Sequence, residues 1–417
     1  MNDGLIKRHS GRKLRIAQIS PLYESVPPKL YGGTERIVSF ITEELVRRGH
    51  DVTLFASGDS NTNARLEAAS PEGLRLAGQA PLGTSLQLPM LSAIYESAPE
   101  RFDVIHSHLD YWSFPFEKMT TVPCVSTQHS RLDQPAIHPV YNFYSRAALV
   151  SISDAQRKPL PASNWVATVY HGLPRKLLEF SGGPGDYLAF LGRISPEKGP
   201  DVAIEVAKRA GIPLKIAAKV DDADREYFEA VIKPRLSPPD IEFIGEVNRK
   251  QKNEFLGNAL ALLFTIDWPE PFGLTMIEAM ACGTPVIARP CGSVPEVITD
   301  GVNGYIAAEL DELVAAVGRV NELSRERCRA EFERRFTAET MVDNYEAVYE
   351  GLIAAHGSGQ RITRAATVDH GPTREISRPE RASRVVAAAQ NGKGRSADFQ
   401  KLYASGHGDC PPQKLPE

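Results

Sequence analysis

From residue 14 onward the chain alternates short apolar, β-branched runs with longer amphipathic stretches. The first run, LRIAQIS (14–20), leads through a loop into TERIVSFITEELVRRG, where Ile37, Phe40, Ile41 and Leu45 recur at helical spacing and Gly49 stands as a left-handed cap. Strand, loop and helix are predicted in that order. DVTLFA (51–56), FDVIHSH (102–108), PCVSTQH (123–129) and ALVSISD (148–154) read as further buried strands, each followed by polar or helical sequence. This rhythm predicts a parallel sheet with helices on both faces.

The Gly/Pro-rich stretch EFSGGPGD (179–186) interrupts the pattern, which restarts at YLAFLGR (187–193). Strands are then predicted near 213–218, 241–247, 261–266, 285–289 and 304–308. The fold class expected is α/β, with two Rossmann-like doubly wound lobes at 14–178 and 179–336 and a cleft between them. A last helical pattern spans 337–355, with Tyr345, Val348, Tyr349 and Leu352 on one stripe. Beyond it, 357–417 is dominated by Gly, Ser, Pro, Arg and Gln, and is expected to be mostly disordered.

Composition narrows the function classes. The 417 residues are 42% hydrophobic and 24% charged, with a net charge of -4, so no global basic field invites nucleic acid. The five cysteines, Cys124, Cys282, Cys291, Cys328 and Cys410, lack CxxC spacing and argue against a disulfide framework or a zinc site. A reducing cytoplasm is expected. No apolar core follows the basic arm 1–13, which reads as a solvated tail or, alternatively, as a weak peripheral contact with anionic lipid at the inner membrane face.

The densest chemistry lies in PEPFGLTMIEAMACGTP (269–285). A strand ending near Ile266 feeds a Pro-constrained loop and then a helix closed by Gly283. The backbone N–H groups of Gly273, Leu274 and Thr275 would face outward from the positive end of that helix, making an anion seat at the C-terminal edge of the sheet. Glu270 precedes the helix, and Glu278 lies about 7 Å along its axis from Gly273. Two carboxylates flanking a diphosphate suit the hydroxyls of sugars, because ionised carboxylates only accept. A nucleotide sugar is the ligand this arrangement fits.

The stretch EPFGLTMIEAMACGTPVIARPCGSVPEVITDGVNGYI strongly resembles the donor-site signature of glycosyltransferase family 4 (group 1), the retaining enzymes of GT-B fold, and the likeness covers about 14–355. The resemblance implies that the 337–355 helix crosses back onto the first lobe, and that Arg193 and Lys198 in LGRISPEKG clamp the donor diphosphate. Physically, a planar fork and a compact ammonium neutralise phosphate oxygens and the growing charge of a leaving group. The alternative for these cations is a surface pair with Glu197 or Asp201. The resemblance also places Gly33, in YGGTE (31–35), near the transferred group, Phe272 in the donor loop, and His129 beside the reacting sugar. UDP-glucose is its default donor.

Other candidates compete with these. His106, His108 and Asp110 would make a metal site, but no third ligand of suitable spacing accompanies the histidines, so they are expected to be satisfied or to contact the acceptor. His171, in VYHGL, is expected to shape the cleft. Asp222 and Asp224 mimic a metal-holding DxD pair, yet they open an apparent helix, DDADREYFEAVIKP, where acids favour the dipole. No metal or other cofactor is then expected. The aromatic loops 21–31 and 109–116 are suited to stacking on a carbohydrate acceptor or, alternatively, to packing, and the sequence leaves the identity of the hydroxyl acceptor open along with the oligomeric state. A nucleotide-sugar epimerase and a non-catalytic nucleotide-sugar binder are the other readings.

Overall fold

The computed structural model describes residues 12–29 and 32–358. Two all-parallel sheets organise these residues. The first contains β1 (Arg15–Ile19), β2 (Asp51–Ser57), β3 (Arg65–Ser70), β4 (Val104–Ser107), β5 (Cys124–Thr127), β6 (Leu149–Ser151) and β7 (Trp165–Thr168). Their spatial order is β3-β2-β1-β4-β5-β6-β7. The second contains β8 (Tyr187–Arg193), β9 (Leu214–Lys219), β10 (Ile241–Gly245), β11 (Ala259–Phe264), β12 (Val286–Ala288) and β13 (Gly304–Ile306), in the order β10-β9-β8-β11-β12-β13. Chain order reverses between β1 and β4 and again between β8 and β11. Open α/β sheets bind ligands at the carboxyl ends of the strands flanking such a reversal.

Local sequence accounts for the helices that carry these edges. In the helix Gly33–Arg47, Ile37, Ile41 and Leu45 are fully buried one turn apart, Glu35 favours its N-terminus and Arg47 its C-terminus. The following turn uses Gly49 at φ 91°. In the helix Ala338–Gly357, the Thr337 hydroxyl caps the N-terminus by accepting from the Thr340 N–H. Its Met341, Val342, Tyr345, Val348, Tyr349 and Leu352 join Ile16, Ile37, Ile41 and Val104 in one core. Each such side chain contributes about 1.5–3 kcal/mol on burial. This helix therefore belongs to the first lobe, although it follows the second in sequence.

The outgoing and returning chains meet between the lobes. Leu173 N–H donates to the Phe336 carbonyl at 2.9 Å and Ala338 N–H donates to the Leu173 carbonyl at 2.8 Å. A Cβ on Gly172 would stand 2.1 Å from the Thr337 carbonyl oxygen, so only glycine permits this approach.

The structure adds and corrects elements. β3 and β7 lie at the two edges of the first sheet, outside the predicted strands. The single helix expected over DDADREYFEAVIKP is a succession of turns: 3-10 at Asp222–Asp224, α at Arg225–Tyr227, π at Phe228–Ile232 and 3-10 at Lys233–Arg235. The crossing helix runs to Gly357, into the stretch expected to be disordered. The rest of that stretch, 359–417, and residues 1–11 of the basic arm lie outside the described residues. Among the described residues no helix is long and apolar enough to cross a membrane.

Candidate active site

Residues from both lobes line a cavity of about 610 Å³ at the two chain reversals, including Gly33, His129, Arg193, Lys198, Glu270 and Glu278. A larger cavity of about 990 Å³ lies at the opposite, N-terminal ends of β5, β6 and β7, beside Arg146, Trp165 and His356, and holds none of the predicted site residues.

The floor of the cleft is the helix Leu274–Ala281. Gly273 precedes it at φ 80°, and a Cβ there would meet Met276 Cε at 2.7 Å and Phe264 Cζ at 2.9 Å. Glycine is required twice over, by dihedral and by space. No hydrogen-bond partner among the described residues takes the backbone N–H groups of Gly273, Leu274 or Thr275, and no side chain caps the helix. The Thr275 hydroxyl is likewise buried without a partner. These groups form an unsatisfied, positively polarised concavity. The first-lobe helix also turns its N-terminus toward the cleft: a Cβ on Gly33 would lie 3.8 Å from Leu274 Cδ1.

The donor-loop residues are held by a second loop. Ser293 N–H donates to the Glu270 carbonyl at 3.0 Å and its hydroxyl donates to the Phe272 carbonyl at 2.7 Å. The Phe272 ring packs edge-on to His171, with centroids 5.0 Å apart. Glu296 crosses to the first lobe, where its carboxylate accepts from the N–H groups of Asp154 and Ala155, both at 2.7 Å, and from the Tyr170 hydroxyl at 3.1 Å. Burial pushes the Glu296 carboxyl above its ordinary value, against the pull of those donors.

Cations and acids are interleaved along the cleft. Lys198 Nζ donates to Glu270 Oε2 at 2.5 Å and sits 4.5 Å above the Trp268 ring, whose Nε1–H also donates to Glu270. Gly199, at φ 66°, lets this loop press on Thr265, whose carbonyl oxygen a Cβ would meet at 2.2 Å. Arg193 pairs with Glu197 at 2.6 Å, the pairing that stood as its alternative, with Asp224 and Asp221 at 3.6 and 3.8 Å. Glu278, 3% exposed, takes Lys252 at 2.7 Å and Arg36 of the first lobe at 3.6 Å.

The DxD look-alike divides. Asp222 faces outward to Arg225, whereas Asp224 leans toward Arg193 with Oδ2 buried and lacking a hydrogen bond. The two are not directed at one point. His106 has both ring nitrogens engaged, by the Tyr349 hydroxyl and Thr127 Oγ1, each at 2.7 Å. Asp110, the non-glycine residue with φ 49°, accepts from the His129 N–H and the Ser130 hydroxyl, pinning the turn after β5.

Sequence reasoning missed Lys252, Arg36, Ser293 and Glu296, as well as Glu35, whose carboxyl burial pushes up to about 7 at the mouth of the first-lobe helix. Ser293 and Glu296 lie within the quoted donor-site stretch, but nothing in their local spacing points to the Phe272 carbonyl or to the amides of the other lobe. Lys252 and Arg36 carry none, because only folding brings them to Glu278.

Residues 180–339 match the family model described as glycosyl transferases group 1, and residues 31–178 match that of glycosyltransferase family 4. The chain is 26% identical over 278 residues to an uncharacterized glycosyltransferase of Methanocaldococcus jannaschii, covering 61% of this chain and 76% of that one. It is also 26% identical over 403 residues to the D-inositol 3-phosphate glycosyltransferase of Mycolicibacterium smegmatis, covering 78% and 88%. The fold matches that of Anabaena HepE in complex with UDP-glucose, with a TM-score of 0.62 at 18% identity over 81% of this chain and all (100%) of that one.

Proposed function

Because the chain belongs to the group 1 and family 4 glycosyltransferases and is a glycosyl-transferring enzyme, we propose that it moves a hexose from a nucleoside-diphosphate sugar to a hydroxyl acceptor with retained anomeric configuration. One observation carries this reading: the unpartnered N–H groups of residues 273–275, at a helix N-terminus, lie between Glu270 and Glu278 with Lys198 close by. That is a diphosphate seat with a hydroxyl acceptor on either side.

In this mechanism the diphosphate rests on the 273–275 amides, and Lys198 and Arg193 exchange part of their carboxylate contact for phosphate oxygens. Glu278 accepts from the ribose and Glu270 from the hexose, while Phe272 backs the donor loop. The bond from the anomeric carbon to phosphate oxygen breaks as the acceptor oxygen bonds on the same face. The departing phosphate takes the acceptor proton, and its growing charge is stabilised by the two cations and the helix terminus. Gly33 lets the first lobe approach the transferred group, and His129 forms a hydrogen bond with a hydroxyl of the hexose. These groups supply the positive charge themselves, so no metal is assigned to the reaction. UDP-glucose is the first donor to test, a choice supported by the ligand of the HepE structure.

Incubation with UDP-glucose and a panel of sugar, lipid-linked and cyclitol acceptors is expected to release UDP only when an acceptor is present, and to give an α-linked product from the α-linked donor. Inverted product overturns the retaining mechanism. An epimerised sugar from donor alone favours an epimerase instead.

A further inference from the structure

The ring of His129 ends a buried chain of hydrogen bonds that reaches the crossing helix. His129 Nε2 is 2.9 Å from His108 Nδ1, and His108 Nε2 is 2.9 Å from Gln18 Oε1. On its other side, Gln18 Nε2 donates to the Tyr349 hydroxyl at 3.1 Å, and that hydroxyl stands 2.7 Å from His106 Nδ1. His106 Nε2 then meets Thr127 Oγ1 at 2.7 Å. Gln18 and His106 are fully buried and His108 is 2% exposed, so these groups are shielded from bulk water.

Donor and acceptor roles follow from the amide. Gln18 Oε1 can only accept, so His108 carries its proton on Nε2 and its Nδ1 accepts. His129 must then donate from Nε2, which leaves Nδ1 as its acceptor, a nitrogen with no hydrogen-bond partner among the described residues. On the far side, the Tyr349 hydroxyl accepts from Gln18 and donates to His106 Nδ1, and His106 donates to Thr127. Each hydrogen bond of this chain then has one donor and one acceptor, with His106, His108 and His129 all neutral. Burial holds the imidazoles of His106, His108 and His171 well below the ordinary value and brings His129 down to about 3. The opposite polarity requires the amide and every proton to reverse together, because a partial reversal sets two donors or two lone pairs face to face.

We propose that Gln18 and Tyr349 are positioning residues that fix His129 as its Nε2–H tautomer, reserving Nδ1 as an acceptor for a hydroxyl group bound in the cleft. The nature of that hydroxyl rests on the glycosyl-transfer reading; the tautomer does not. Two further contacts suit this role. Asp110 holds the backbone of residues 129 and 130, and the His171 ring stacks on His129 with centroids 5.3 Å apart and planes 17° apart. Backbone, ring plane and proton are thus fixed separately. Because Tyr349 lies on the helix that returns from the second lobe, the docking of that helix is coupled to the proton inventory of the cleft.

Nitrogen-15 spectra of the full chain labelled at histidine test this without substrate. Wild type is expected to show His129 and His108 protonated at Nε2 and unchanged between about pH 5 and 8. Gln18→Leu removes the acceptor and is expected to leave His129 in both tautomers, whereas Gln18→Glu, which still offers an oxygen to His108, keeps one. Turnover should follow, falling about tenfold or more in Gln18→Leu and largely returning in Gln18→Glu. Should Gln18→Leu not fold, Tyr349→Phe, lacking only a hydroxyl, is read for the same mixture. A wild-type His129 protonated at Nδ1, or a single unchanged tautomer in the folded variants, overturns the proposal. Loss of turnover with the tautomer intact does so as well.

Discussion

Lys198 and Glu270, proposed to meet the adjoining diphosphate and hexose of the donor, touch each other across 2.5 Å. Their contact keeps each preorganised, and a phosphate entering the amide seat competes for the same ammonium. Removing one charge-stabilising donor of this kind costs about 10²-fold or more in turnover. Lys198→Ala and Arg193→Ala are each expected to lose that much in steady-state kinetics. Near-normal rates in both variants would falsify the diphosphate clamp.

Glu278 tests the nucleotide side. Gln at this position keeps the shape but gives up a charged acceptor that also meets Lys252 and Arg36. Hydrogen bonds to charged groups contribute about 1.5–3 kcal/mol, so UDP affinity in Glu278→Gln should weaken about tenfold or more. Calorimetric titration with UDP measures it, and an unchanged Kd removes the ribose assignment.

Two glycines of similar dihedral separate strain from crowding. Gly211 has φ 66° with nothing within 4 Å of a Cβ, whereas Gly273, at φ 80°, would drive a Cβ into Met276 and Phe264. Gly211→Ala is expected to cost about 1–2 kcal/mol in chemical denaturation, the penalty of the left-handed region alone. Gly273→Ala should cost more and also slow turnover, since the amides of 273–275 shift with it. Equal costs for the two would show that the donor loop yields without strain.

Acid should loosen the crossing helix. Glu346 binds Arg48 at 2.6 Å and His50 at 2.8 Å. Burial pushes its carboxyl up, but the His50 hydrogen bond and the Arg48 charge and hydrogen bond outweigh that and leave it below the ordinary range. A carboxyl depressed in the folded state gives stability that is present above the unfolded value of about 4.3 and lost as pH falls through the folded one. Urea midpoints should therefore fall more steeply below about pH 4 in wild type than in Glu346→Gln. Parallel curves would place the acid lability elsewhere.

The sequence revealed what repeats locally. Among the described residues the apolar runs located eleven of the thirteen strands, because parallel strands covered on both faces are apolar on both. β3, RLEAAS, escaped because it carries no β-branched residue and is mostly exposed or half-buried, and WVAT of β7 has a single one ahead of its terminal Thr168. The glutamate motif was legible because loop and helix lie within one continuous segment. Arg36, Lys252 and the Gln18–Tyr349 link were not, since each depends on chain segments brought together only by the fold. The π turn at Phe228–Ile232 has the same apolar spacing as an ordinary helix, so periodicity did not distinguish it.

The loop carrying Ser293 and Glu296 has mechanical significance. Its serine grips the donor loop while its glutamate is hooked onto main-chain amides of the opposite lobe. A swing of one half against the other must either pivot about that hook or tear it loose. Any change in the angle between the halves would thereby be transmitted through Ser293 to the surface of the cleft.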